Sequence, residues 1–133
     1  MTSVTNLAKT SMPHIRHKID GYPAVRRSNR SGKELEWIKT VAESTAGLPR
    51  VDGPCLLRVT FFLPENKYYG SQFGADLDNL LKPFLDGLGK TIFSDIPGGD
   101  GCVLSLEVSK LRASKSEPQG AFIEVIPFHI NEE

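Results

Sequence analysis

Long apolar runs are missing from this sequence, and cysteine is scarce. The most apolar stretch, "CLLRVTFFLP", is short and contains Arg58, whereas a membrane-spanning helix needs about 20 apolar residues. The stretch "MTSVTNLAKTSMPHIRHK" has no continuous apolar core, so it is not expected to be a secretory signal. Cys55 and Cys102 fall within predicted strands, where two buried thiols in a reducing cytosol are expected rather than a disulfide. The sequence therefore predicts a cytoplasmic protein.

The net charge of the chain is zero, but two segments carry charge of opposite sign. Residues 1–33 carry seven basic residues and one acidic residue, a net charge of +6, and the rest of the chain carries −6. A basic arm on an acidic body is compatible with a protein that binds a polyanion and holds a metal with carboxylates. The alternative is a solvated N-terminal tail.

The size of the chain indicates one domain. Its 133 residues, of which 39% are hydrophobic, are enough to bury an ordinary core. Residues 1–12 are polar and are expected to form a flexible tail, which leaves residues 13–133 as a single domain.

Hydrophobic periodicity predicts an α+β fold. A strand is predicted in "HIRHKIDGYPAV", followed by a helix in "KELEWIKTVAEST", where Leu35, Ile38, Val41 and Ala42 recur at helical spacing. The stretches "CLLRVTFFLP", "CVLSLEVSKL" and "AFIEVIPF" are predicted to be strands. With a second helix before the third strand, this order predicts a small two-layer domain with a mixed sheet of about four strands packed with two helices.

The second helix is predicted in "GADLDNLLKPFLDGL", residues 74–88. Asp78, Lys82 and Asp86 recur at four-residue spacing and form its polar face. Pro83 interrupts the pattern, which predicts either a kink or a helix that starts late, near Asn79. The apolar positions recur as one helical face: Leu77, Leu80, Leu81, Phe84, Leu85 and Leu88.

Two acids stand at the entrance to this helix. Asp76 and Asp78 are predicted to lie in extended chain, where residues two apart share a side, so both carboxylates would face one spot. A third acid, Asp95 or Asp100, could join them from the loop before the next strand. Three hard oxygen donors without His or Cys suit Mg²⁺. The alternative is that Asp78 is an N-cap and Asp76 an exposed charge near the positive helix end.

The motif "DLDNLLKPFLDGL", followed by "SDIPGGDGCVLSLEVSK", resembles the RusA family of Holliday-junction resolvases. That family has an Asp-Leu-Asp-Asn-Leu segment, a lysine four residues after the second Asp, and an acidic turn that opens a strand ending in Lys. The resemblance covers residues 54–128 well and implies a RusA-like fold. Gly74 and Ala75 depart from it, because relatives often have arginines there. The matching positions are Asp76, Leu77, Asp78, Asn79, Leu80, Lys82, Asp86 and Lys110.

The resemblance also implies site residues. Asp76 and Asp78 look like ligands of Mg²⁺, for which Mn²⁺ could substitute, and Lys82 matches a lysine that acts near the phosphate. The third ligand is expected to be Asp100, from the family's spacing to the strand-ending lysine, with Asp95 as the alternative. Without the resemblance, Lys82 could equally form an ion pair with a neighbouring acid on its helix. The candidates for DNA contacts are Arg26, Arg27, Arg30, Lys33, Lys67 and Lys110.

The function that the resemblance implies is that of an endodeoxyribonuclease in DNA recombination and repair. Such an enzyme resolves four-way DNA junctions by paired nicks, with Mg²⁺ polarising the scissile phosphate. A homodimer would present two equivalent sites to the two strands that are cut. Two alternatives stay open: a branched-DNA-binding module that kept the fold without catalysis, and a nuclease for flaps or forks.

Overall fold

The structure is a computed structural model that describes residues 14–26, 32–64, 75–96 and 100–128, with Asp100 described by its backbone alone. Among these residues, no helix is both long enough and apolar enough to cross a membrane. The elements in chain order are β1 (Ile15–Asp20), α1 (Gly32–Thr45), β2 (Cys55–Leu63), α2 (Leu77–Gly89), a short 3₁₀ helix (Asp100–Cys102), β3 (Val103–Arg112) and β4 (Gly120–Pro127).

The four strands form one mixed sheet in the order β1-β4-β2-β3. Strand β4 is antiparallel to both β1 and β2, and β3 is parallel to β2. Three strands, β1, β2 and β3, therefore point the same way. We call the end of the sheet where they finish, at Asp20, Leu63 and Arg112, the carboxyl end. The opposite end, where β2 and β3 begin at Cys55 and Val103, is the amino end.

Both helices cover the same face of the sheet. The strand predicted in "CLLRVTFFLP" is confirmed, and every second residue from Leu57 on is fully buried: Leu57, Val59, Phe61 and Leu63. Helix α2 packs on this face through Phe84, whose ring centroid lies 5.3 Å from that of Phe61. The two-layer α+β architecture predicted from the sequence is confirmed.

The other face of the sheet is open and carries a row of alternating charge. Arg16, Glu124, Arg58 and Glu107 stand at paired positions on the four strands. Arg58 donates hydrogen bonds to Glu107 at 2.8 Å and to Glu124 at 3.0 Å. Because each cation lies beside an anion, this face has little net charge along the row.

Helix α1 occupies the predicted range, and Ile38 and Val41 of its predicted apolar face are buried, but Leu35 is not. Leu35 is 52% exposed, whereas Trp37 is 2% exposed and stacks on Phe84 with ring centroids 6.2 Å apart. The acid Glu34 is fully buried on the same face. Successive residues of an α-helix are rotated by about 100° around its axis. A helix that buries Glu34 and Trp37 therefore turns Leu35 towards solvent.

Helix α2 begins at Leu77, so the predicted late start near Asn79 is wrong. Pro83 lies inside the helix and has no N–H to donate to the carbonyl of Asn79, four residues earlier. That carbonyl instead accepts a hydrogen bond from the backbone N–H of Arg26 at 2.8 Å. A donor from outside the helix thus replaces the missing one. The predicted apolar face is confirmed at its centre, because Leu80, Phe84 and Leu88 are fully buried.

The two cysteines lie at the amino end rather than in the middle of strands. Cys55 is the first residue of β2, and Cys102 closes the 3₁₀ helix before β3. Neither cysteine is in a disulfide; Cys55 is buried, and Cys102 is half-buried. Burial, together with the neighbouring Cys102 thiol, raises the pKa of Cys55 to about 12, so Cys55 stays protonated at neutral pH.

Helix α2 lies directly against helix α1 at Gly87. A Cβ atom placed there would lie 2.7 Å from Cβ of Val41 and 3.0 Å from the carbonyl oxygen of Ile38. No side chain larger than hydrogen fits without moving α1 away from α2. Gly89, in the last position of the same helix, has nothing within 4 Å of the corresponding point.

Replacing Gly87 by alanine is therefore expected to lower the free energy of unfolding by about 1–3 kcal/mol through overpacking. The matched variant Gly89→Ala should leave stability unchanged or raise it by up to about 1 kcal/mol, because alanine is the better helix former. Urea unfolding followed by circular dichroism measures both. Equal stability of the two variants would contradict the close helix contact.

Candidate functional site

The carboxyl end of the sheet collects most of the described candidate residues. Strand β1 leaves the sheet there towards Arg26, and helix α1 begins there with Lys33 in its first turn. Helix α2 follows β2, so its first turn, with Asp78, is at the same end. Lys110 lies near the end of β3, opposite Phe61 of β2. The shared direction of the three strands is what brings these segments together.

Asp76 and Asp78 are both exposed at the start of α2. Asp76 is the N-cap residue, with extended backbone at φ −77° and ψ 144°, yet its side chain makes no capping hydrogen bond. Asp78 is already in the first helical turn. The prediction that both lie in extended chain is therefore wrong for Asp78, and so is the alternative that Asp78 is the N-cap. The helix simply begins one residue before Asp78.

The approach to Asp76 is fixed by a contact from the sheet. The ammonium of Lys110 donates a 2.6 Å hydrogen bond to the carbonyl oxygen of Ala75, and Lys110 is half-buried. This bond ties the residue before Asp76 to β3. Lys110 was predicted to contact DNA, and in the structure its ammonium holds the entrance of α2.

Lys82 is exposed on the same polar face of α2 as Asp78 and Asp86. Within the part of the chain that the structure describes, no ion pair joins Lys82 to either acid, so the local ion pair considered from the sequence does not form. Asp86 instead accepts a hydrogen bond from Arg26. The ammonium of Lys82 is thus available to a ligand near the start of α2.

Arg26 joins the two helices. Its Nε donates to the carboxylate of Glu34 on α1, and its Nη2 donates to Asp86 on α2 at 2.5 Å. With the backbone bond to Asn79, Arg26 makes three connections between the chain after β1 and the helices. The hydrogen bond to Glu34 is the largest cause that raises the pKa of Arg26 above its usual value. We call Arg26, Glu34 and Asp86 the arginine clamp.

The arginine clamp changes what Arg26 can do. Its side chain is 27% exposed, and Glu34 is fully buried. A buried carboxylate that lost its cation would be strongly destabilising, so the guanidinium is committed to Glu34. Arg26 was predicted to contact DNA; the structure gives it a role between α1 and α2. Three other predicted DNA contacts, Arg27, Arg30 and Lys67, lie outside the described residues.

The variant Arg26→Ala is expected to lose about 3 kcal/mol of unfolding free energy, because it leaves the buried charge of Glu34 without its partner. The matched variant Arg58→Ala removes an arginine that also contacts two glutamates, but on the open face, and should cost at most about 1 kcal/mol. Chemical denaturation compares them. Equal losses would mean that Arg26 is an ordinary surface arginine.

The remaining two acids lie at the amino end. Asp95 is in the exposed turn after α2, next to a segment held by the hydrogen bond from Val51 N–H to the carbonyl of Ile92 at 2.7 Å. The backbone of Asp100 begins the 3₁₀ helix that leads into Val103. From Val103 to Lys110, β3 extends roughly 23 Å at about 3.3 Å per residue.

One chain therefore does not bring either acid to Asp76 and Asp78, and the expected three-acid cluster within a single chain is not formed. The physical reason is strand direction: β3 begins at the end of the sheet opposite the first turn of α2. In agreement, the described part of the chain contains no group of three His, Cys, Asp or Glu side chains placed to hold a metal ion. Among the described residues, no third acid joins Asp76 and Asp78 in a group that could hold a metal ion.

Sequence reasoning missed the contacts that position this pair. Glu34 gave no signal, because a buried acid in α1 looks like any charged helical residue. Pro83 did give one, since a proline inside a helix leaves a carbonyl four residues earlier in need of a donor. The partner of that carbonyl, Arg26, could not be predicted from spacing.

The chain matches none of the protein-family models and none of the curated proteins with which it was compared. The relation to the RusA family stays a prediction that rests on the motif from Asp76 to Lys82 and on the strand that ends at Lys110.

Proposed function

We propose that this protein is a Mg²⁺-dependent, structure-selective endonuclease that cuts branched DNA, as the resemblance to the RusA family implies. The observation that carries the proposal is the start of α2, where the carboxylates of Asp76 and Asp78 and the ammonium of Lys82 are all exposed. None of the three forms an ion pair with the described residues. Two acids and a lysine left without partners at one helix entrance suit a metal and a phosphate.

The two carboxylates fit a hard divalent cation. An N-cap aspartate ordinarily accepts a hydrogen bond from its own helix, and Asp76 does not. Its oxygens therefore stay available at the start of the helix that also carries Asp78, and neither position is a His or Cys that would favour a softer metal. Bound Mg²⁺ would polarise the scissile phosphate and lower the pKa of a coordinated water.

The chain's own residues supply the rest of the chemistry. Lys82, one turn after Asp78, would place positive charge near the phosphate oxygens as negative charge develops on them. Lys110 acts through the backbone: its hydrogen bond to the Ala75 carbonyl holds the chain that presents Asp76. Lys33, in the first turn of α1, adds a cation at the same end of the sheet. It would meet the DNA backbone rather than the bases.

A third acid would have to come from a second copy of the chain. Asp95 and Asp100 belong to the amino end, and the acid pair belongs to the carboxyl end. A two-fold dimer can bring the amino end of one chain to the carboxyl end of the other, and symmetry then builds the same site twice. Two equivalent sites are what paired nicks in a four-way junction require.

Asp78→Asn is expected to abolish nicking of a synthetic four-way junction in Mg²⁺, because it removes a metal ligand, while junction binding in a gel shift persists. The matched variant Asp52→Asn removes an exposed carboxylate from the loop between α1 and β2. This variant should cut normally. The wild type should also show a rise in melting temperature with Mg²⁺, since a ligand that binds only the folded state stabilises it. Asp78→Asn should lose that rise.

A wild-type protein that binds junctions but neither cuts them nor responds to Mg²⁺ would contradict the proposal. It would favour the branched-DNA-binding module without catalysis, which the separation of the acids within one chain supports. Flap and fork substrates tested beside the junction identify the preferred structure.

Mixing two inactive variants tests the origin of the third acid. Asp78→Asn and Asp100→Asn should each be inactive alone, and their mixture after subunit exchange should nick junctions. In a mixed dimer with shared sites, one site receives both substitutions and the other receives none. If each site took all its acids from one chain, the mixture would stay inactive. A second mixture, of Asp78→Asn with Asp95→Asn, identifies which of the two acids, Asp95 or Asp100, is used.

A further inference from the structure

A cavity of about 310 Å³ opens between the exit of β1 and helix α1. It lies at the carboxyl end of the sheet, where both helices begin, and none of the candidate metal ligands lines it. Trp37 lies at its base, and Tyr22 stands on the chain that leaves β1. Its volume is at the lower limit of pockets that hold small organic ligands, about 300 Å³.

Gly21 allows this cavity to form. Its φ of +154° is unfavourable for other residues, and a Cβ there would lie 2.8 Å from Cζ3 of Trp37. The chain therefore turns directly against the edge of the indole, and the next residue, Tyr22, lines the same cavity. Tyr22 is 36% exposed, so part of its side chain is open to solvent.

The polar groups around the cavity are mainly hydrogen-bond acceptors. Asp20, Glu36 and Thr40 line it, and the Asp20 carboxylate already accepts a hydrogen bond from Lys18 at 2.9 Å through one of its oxygens. Lys33 is the cation among the lining residues, and its Nζ lies 5.2 Å from the centroid of the Tyr22 ring. A positively charged ligand would meet this ammonium at the aromatic ring. A flat, neutral ligand with N–H donors avoids that repulsion and can use the carboxylates.

We propose that this cavity binds an unpaired nucleobase of the DNA substrate, with a preference for bases that carry an amino group. The base would stack beside Tyr22 and donate its amino hydrogens to Asp20 or Glu36. Adenine, cytosine and guanine have such a group, whereas the one ring N–H that thymine can donate lies between two carbonyl oxygens that the carboxylates repel. The role of the base in cleavage rests on the proposed function, but its binding does not.

A branched substrate gives such a cavity a purpose. Enzymes that act on distorted DNA commonly hold an unstacked base between aromatic or apolar side chains and read its hydrogen-bonding edge. A base held between β1 and α1 would fix the strand at the end of the sheet that carries Asp76 and Asp78. The cavity would then select DNA in which a base can leave the stack at low cost.

Trp37 is the only tryptophan of the chain and lines the cavity, so its fluorescence reports binding directly. The full chain is titrated with dGMP, dAMP, dCMP and dTMP in EDTA, with deoxyribose 5-phosphate as the control that lacks a base. Saturable quenching by the three amino-bearing nucleotides is expected, with at least tenfold weaker binding of dTMP. Deoxyribose 5-phosphate should leave the fluorescence unchanged.

Variants assign the effect to the cavity. Tyr22→Ala should weaken nucleotide binding by about tenfold through loss of stacking, and Tyr22→Phe should retain it. Glu36→Gln should reduce the preference over dTMP, whereas Glu43→Gln, the same change two turns further along α1 and outside the lining, should not. Circular dichroism verifies that each variant is folded.

The proposal is overturned if no nucleotide quenches Trp37, if the sugar phosphate does so equally well, or if Tyr22→Ala binds like the wild type. These titrations contain no Mg²⁺ and no junction. A protein that binds the nucleotides but never cuts DNA keeps the cavity assignment and loses the nuclease assignment. One that cuts junctions but ignores the nucleotides gives the opposite result.

Discussion

The common direction of three strands constrains everything else in this fold. Because β1, β2 and β3 point the same way, each helix must start where the preceding strand stops and return across the sheet. The entrances of α1 and α2 are thereby forced to one end, together with the turn at Gly21. The same constraint separates that end from the start of β3. In this fold both helices begin at one end of the sheet, and β2 and β3 begin at the other.

Charge is used in two different ways in the structure. Within the arginine clamp, the buried carboxylate of Glu34 fixes the guanidinium of Arg26. This contact stabilises the fold because water cannot reach the carboxylate to replace the guanidinium. At the entrance of α2, charges of both signs are left exposed and apart. The arginine clamp fixes the two helices relative to each other, whereas the charged side chains at the start of α2 stay accessible to solvent.

The fold could be predicted from the sequence where burial follows a period, as in β2 and at the centre of α2. In α1, Ile38 and Val41 follow the predicted period, but the exposure of Leu35 could not be predicted, because Leu35 and Trp37 are both apolar and packing against Phe84 decides between them. The position of Asp76 and Asp78 before the apolar helix could be predicted from the local pattern, but the helical backbone of Asp78 could not. The third acid was expected in the wrong place for one chain, because spacing along a sequence says nothing about strand direction. Arg26 and Lys110 were predicted as free cations, since their acceptors, Glu34 and the Ala75 carbonyl, come from distant segments.

Pro83 shows how a local defect becomes a connection. An uninterrupted helix would satisfy the Asn79 carbonyl internally and would have less use for a donor from elsewhere. With proline present, the helix is incomplete by one bond until the chain after β1 docks and supplies it. Helix α2 thus has its full set of backbone hydrogen bonds only when the tertiary structure is in place. Its order is thereby coupled to that of the chain after β1, which carries Arg26. Replacing Pro83 by a residue with a backbone N–H would weaken that dependence. Helix α2 and the chain after β1 would then order more independently of each other.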